Sequence, residues 1–139
     1  WAYFGNTLLY AFTKPDRGDM AVIFWDSMTN ESAVKKVDLL RCIRAAGENC
    51  VLVTGPERHI SSLDARLQAL SAEDEEGKSA RQVYKLTLCN AIGAPVDIKY
   101  IAVKPVHVAM TPFHIVVADE RLVYIWQYRT QVLSGAKND

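Results

Sequence analysis

The sequence has 139 residues, half of them apolar and 23% charged, with 16 Lys and Arg balanced by 16 Asp and Glu. Such a chain suits one ordinary globular domain and can bury a core. Zero net charge offers no positive field to attract nucleic-acid phosphates or an anionic membrane, and no apolar run approaches the ~18 to 20 residues of a membrane span.

In chain order, Thr7 to Thr13 is predicted as a strand, rich in Leu, Tyr and Phe, which stops at Lys14-Pro15-Asp16-Arg17-Gly18-Asp19. That hexapeptide is a turn: Pro pre-sets one backbone angle, Gly permits a positive one, and Asp can bond its own backbone. The next run, Met20 to Asp26, is apolar on both parities, as in a strand packed between two other sheets. Asp26 to Glu31 turns the chain into a more polar strand, Ser32 to Val37, whose lysines suit an outer edge. Leu39 to Ala45 and Asn49 to Thr54 read as a hairpin around Ala46-Gly47-Glu48, ended by Pro56.

From Arg58 to Lys78 the pattern changes. Leu63, Leu67 and Leu70 recur at helical spacing, Ser61 precedes Asp64 as a loose helix-start signal, and Glu73 to Glu76 is acidic, so an insertion with a short helix between His59 and Gly77 is expected. Strand character resumes at Arg81 to Asn90, then Val96 to Val103, Val106 to Met110, His114 to Ala118 and Leu122 to Gln131. The breaks fall at Gly93-Ala94-Pro95, Lys104-Pro105 and Thr111-Pro112. Ser134 to Asp139 reads as a frayed linker or tail. Because it opens on Trp1 without an initiator Met, the chain is expected to be a piece of something longer.

Three of these runs share a plan. Met20 to Asp26 ends in Trp25-Asp26, Val83 to Asn90 ends in Cys89-Asn90, and Leu122 to Arg129 carries Trp126 near its finish. From Cys89 to Trp126 is about 37 positions and from Trp25 to Cys89 about 64, or roughly 44 without the ~20-residue insertion, against ~40 to 45 for a WD-type propeller blade. The fold class expected is therefore all-β: three partial WD40-type β-propeller blades forming one domain over residues 1–139, with an insertion at about 57–80. Phe24, Trp25, Cys89, Trp126 and Tyr128 are the residues expected to make its structural core.

Chemical motifs yield to plainer readings. Gly77-Lys78-Ser79 lacks the earlier Gly of a phosphate loop, since Ala72 stands there, and the order of strand, loop and helix is reversed. Asn30-Glu31-Ser32 fits a glycosylation acceptor but reads better as a turn at a strand end. His59, His107 and His114 show no metal spacing, although His107 and His114 flank a turn across which they could meet; no cysteine pair has the two-residue gap of a zinc site. Cys42, Cys50 and Cys89, odd in number and set in apolar stretches, read as reduced core thiols. No glycine elbow surrounds Ser61, Ser62 or any other nucleophile, and Glu73, Asp74, Glu75 and Glu76 are a solvated run. No catalytic, cofactor or metal residue is expected, and the protein reads as a non-enzyme.

The residues filling the strands and turns also carry a resemblance. Asn6-Thr7, Tyr10-Ala11, Thr13 with Pro15-Asp16-Arg17, Phe24-Trp25-Asp26, Leu88-Cys89-Asn90 with Ile92-Gly93, Pro95, Asp97, Lys99-Tyr100-Ile101, Val108-Ala109-Met110-Thr111 and Trp126-Gln127-Tyr128-Arg129 keep their order across nearly the whole chain. With them the chain resembles the intraflagellar transport protein 121 family of WD-repeat proteins, subunits of the ciliary transport complex A. Only Glu57 to Ala80 departs from that pattern. The resemblance implies a long coat-like protein of two tandem propellers and a helical solenoid, of which this piece is the junction after the first propeller and the opening blades of the second. It implies a scaffold for retrograde transport, cilium assembly and entry of membrane cargo, placed in the cilium or flagellum, the basal body and the cytoplasm. Its implied partners are the other complex A subunits, with tubby-like adaptors and ciliary membrane cargo beyond them. A propeller of a coatomer-like vesicle coat or a tubby-related adaptor is the alternative.

Overall fold

The computed structural model describes residues 1–13, 20–56 and 82–130. The expected turn at 14–19, the insertion with its helix, acidic run, His59, Ser61, Ser62 and Gly77-Lys78-Ser79, and the tail from Ser134 lie outside the described residues. Among the described residues the regular structure is all strand, eleven strands arranged in three antiparallel sheets.

The first sheet is a meander of β1 (Ala2–Phe4), β2 (Thr7–Thr13), β3 (Met20–Asp26) and β4 (Ser32–Lys36), each paired with the next. As expected from its lysines, β4 lies at a sheet edge. The second sheet follows the same plan with β5 (Leu40–Ala46), β6 (Asn49–Thr54), β7 (Tyr84–Cys89) and β8 (Pro95–Ile101). Gly47 turns its first hairpin with φ of +64°, a left-handed angle that costs glycine least. The third sheet holds β9 (His107–Met110), β10 (His114–Ala118) and β11 (Val123–Gln127). Three blades are the result.

Strand ends differ from the sequence reading by a few residues, for local reasons. β11 stops at Gln127 because the amides of Tyr128 and Arg129 both turn to the carbonyl of Phe113. β7 begins at Tyr84 and ends at Cys89, where its pairing with β8 slips between Leu88 and Cys89.

Side chains directly opposite one another in an antiparallel ladder share a face, so the registers show which face meets which sheet. Leu9, Val22 and Phe24 of the first sheet pack against Ile43, Cys50, Leu52 and Cys89 of the second. The opposite face of the second sheet, with Val51, Val53, Leu86, Leu88 and Tyr84, packs against Ile115, Val117 and Trp126 of the third. Successive residues of β6 therefore enter different cores, and Cys50 through Thr54 are all buried. Being apolar on both parities is what this central position demands. β3 has the same composition, yet Ile23 and Trp25 are only half-buried, because they lie on the face turned away from the second sheet.

Candidate interaction surface

The residues singled out in the sequence occupy one recurrent position. Trp25 stands opposite Leu8, Cys89 opposite Cys50 and Trp126 opposite Ile115. Each partner is the second residue of its strand, and the side chains of Cys89 and Trp126 face the sheet that precedes their own in the chain, the side on which Trp25 also points. For Cys89 and Trp126 that sheet is present: Cys89 is fully buried, and Trp126 is 6% exposed. Trp25 has no described sheet on that side, so its ring is half open and its indole Nε1 donates to Asn30 Oδ1 at 2.9 Å.

Phe24, on the opposite face from Trp25, is 2% exposed and meets Gly93 in the turn between β7 and β8. Tyr128 lies beyond β11, edge-on to Trp126 with ring centroids 6.3 Å apart, and its hydroxyl donates to the Thr111 carbonyl at 2.6 Å. Lys99 reaches over the other ring, 5.8 Å from the Trp126 centroid. The end of the third blade is thus tied to its own hairpin and to the second blade.

Asn30 takes a left-handed φ of 61° with its side chain engaged by Trp25, so Asn30-Glu31-Ser32 is a turn held by its own asparagine. The sequence reading missed this bond, although Asn is the residue type that best tolerates such an angle after Gly. His107 pairs with Ala118 and His114 with Gln127, at opposite ends of β10, so the two histidines do not meet. Among the described residues no three His, Cys, Asp or Glu side chains come together as metal ligands.

The cysteines do come together, in a way that spacing could not show. Cys50 and Cys89 face each other across β6 and β7, both free. The hydrogen bond between them, with burial second, pushes the Cys50 thiol up, and the same bond holds Cys89 below its ordinary value. Both are wholly buried, so neither is presented to a substrate. Cys42 is pushed up mainly by burial, against the pull of Arg44 and Arg41.

The two outermost sheets of the described chain each leave one face without a described sheet upon it. The far face of the first sheet carries Tyr3, Tyr10, Ile23, Trp25 and Val34, with Tyr3 64% exposed. The far face of the third carries Val123 and Ile125, each 62% exposed. Between blades, Arg44 donates from Nε to the Val108 carbonyl at 2.9 Å, a link between the second and third sheets that no motif announced. Apolar sheet faces of this kind suit the stacking of a further blade, as the first and second sheets here stack on one another.

The WDR35 second beta-propeller family matches residues 1–138. The chain is similar to human WD repeat-containing protein 35, 40% identical over 130 residues that cover 93% of this chain and 10% of the relative. It is also similar to the mouse protein of that name, at 39% over 130 residues with the same coverage, and to the rat protein, at 37% over 129 residues, 93% of this chain and 9% of the relative. The chain thus spans about a tenth of the length of the curated relatives it matches.

Proposed function

The chain belongs to the WDR35 second beta-propeller family, and on that premise we propose that it is part of a non-catalytic scaffold subunit of intraflagellar transport complex A. The observation that carries this reading is the stack of three blades held by two continuous cores, the architecture expected of the matched propeller family. Function in such a fold resides on surfaces. In this reading residues 1–139 belong to one propeller with residues 57–80 as an insertion, and Phe24, Trp25, Cys89, Trp126 and Tyr128 hold its blades in place. The work is to join the other complex A subunits, and beyond them tubby-like adaptors and membrane cargo, in retrograde transport and cilium assembly. The protein acts in the cilium or flagellum, at the basal body and in the cytoplasm, without a cofactor.

The test is co-precipitation of the full-length protein with complex A subunits, alongside imaging of cilia, for the native chain and for Trp126→Ala. Weakened assembly with short cilia or cargo stalled at their tips is the expected result. Normal assembly and normal cilia in a variant whose blade is demonstrably unfolded would overturn the reading.

A further inference from the structure

A cleft of about 310 Å3 opens between β4 of the first blade and the face of β6, β7 and β8 that looks toward it. The registers place two lysines inside this space. Lys35 pairs with Val22, on the face the first sheet turns to the second, and Lys85 pairs with Thr54, on the face the second sheet turns back. Both are half-buried, and neither has a carboxylate partner among the described residues. The Lys35 charge reaches the interior, where it pulls on the thiols of Cys50 and Cys89.

The remaining lining is mixed. Buried Thr54 and Thr87 bring hydroxyl groups, Leu52 and Ile98 an apolar floor, exposed Lys36 a third ammonium group, and Asp38 is the one carboxylate among the described lining residues. Two cations held partly out of water on facing sheets repel each other, and an anion between them relieves that repulsion while gaining two charge-assisted hydrogen bonds. At the liquid share of about 30 Å3 per water, the cleft has room for roughly ten, more than one carboxylate fills. An apolar side chain beside the anion would use the rest.

We propose that this cleft between the first two blades docks an acidic, partly apolar peptide segment of a partner protein, with a carboxylate between Lys35 and Lys85 and an adjacent apolar side chain on Leu52 and Ile98. The proposal rests on the scaffold reading and adds a partner chemistry to it. Lysine ammonium groups are point charges that accept either anion, so the choice rests on the apolar floor, which gives a bare phosphate nothing to cover and a peptide a place for its neighbouring side chain. The chain's zero net charge supplies no long-range pull toward an anionic membrane.

The experiment uses the full-length protein and a fluorescein-labelled decapeptide that alternates Asp or Glu with Leu, followed by fluorescence anisotropy. Its counterpart has Asn and Gln for the acids. The acidic peptide should bind, more weakly as salt rises, and at least about tenfold more weakly to the double variant Lys35→Gln, Lys85→Gln, with no change for Lys104→Gln outside the cleft. The charge-preserving Lys35→Arg, Lys85→Arg variant should restore binding, which separates loss of charge from loss of fold. Equal affinity for the uncharged peptide, or undiminished binding to the Gln variant, would overturn the site. So would occupation by inorganic phosphate or phosphatidylserine vesicles without any binding of the peptide. Failure of the peptide while the native chain still co-precipitates complex A subunits refutes the cleft alone. Failure of the native chain to co-precipitate them refutes the scaffold reading itself.

Discussion

At Gly93 the backbone turns with φ of +84°, and a Cβ there would lie 2.9 Å from Cε1 of Phe24, in the neighbouring blade. A turn glycine of the second blade is thereby a packing residue of the first core. Gly93→Ala should cost ~1 to 3 kcal/mol, since strain at a positive φ adds to overpacking, and Gly5→Ala should cost less, because φ there is +56° but nothing lies within 4 Å. Denaturant midpoints of the two variants measure the difference. The tryptophans invite a parallel comparison. Trp126→Ala removes a ring packed against Lys99 and Tyr128 and should cost ~3 to 5 kcal/mol. Trp25→Ala in this chain should cost distinctly less, its ring being half open. Equal midpoint shifts would show that the far face of the first sheet is better covered than its register indicates.

Among the elements, the turns between strands reuse one device. Asp26 Oδ1 accepts the amides of Met28 and Thr29 at 2.8 and 3.3 Å, and Asn90 Oδ1 those of Ile92 and Ala94 at 3.1 and 3.0 Å. The matching positions of the Trp-Asp and Cys-Asn dipeptides therefore have a physical basis: each closes its strand and folds the next turn onto a side-chain oxygen. Asp119 does the same between β10 and β11, accepting the amides of Arg121 and Leu122, each at 2.7 Å. Those bonds, the Arg121 amide first, hold its carboxyl below the ordinary value. A carboxylate depressed in the folded state adds stability that is complete above its unfolded pKa and is lost as pH falls through the folded one. The β10 to β11 turn should accordingly loosen only under acid conditions below the usual carboxylate range. Amide shifts of Leu122 followed by NMR should show this titration, and Asp119→Asn, which keeps an acceptor but cannot titrate, should abolish it.

For the molecule as a whole, the middle blade is the part buried on both faces. β6 and β7 contribute to both cores, whereas β4, β8 and β11 are sheet edges with exposed residues. Native-state hydrogen exchange should therefore be slowest in Val51 to Val53 and Leu86 to Leu88 and fastest along β4 and β11, because protection follows the apolar contacts that must open. Faster exchange in β6 than in β4 would contradict the stacking order.

Much of this architecture was legible along the chain. Alternation, β-branched runs and the breaks at Gly47, Gly93-Ala94-Pro95 and Thr111-Pro112 are local signals, and they placed ten of the eleven described strands to within a few residues, missing only the three-residue β1. The repeated Trp-Asp, Cys-Asn and Trp-Gln endings located equivalent positions, which the registers of Trp25, Cys89 and Trp126 share. Local pattern could not show which sheet each face would meet. Met20 to Asp26 and Asn49 to Thr54 are both apolar on two parities, yet only the second lies between two described sheets. The Cys50 and Cys89 pair, the contact of Gly93 with Phe24 and the facing of Lys35 with Lys85 were likewise decided by tertiary structure. The reason is physical: side-chain alternation is a property of one strand, but strand register and sheet stacking join residues far apart in sequence. By itself the sequence determined strands, turns and family, and the stacking of the sheets decided which residues became core, contact or open surface.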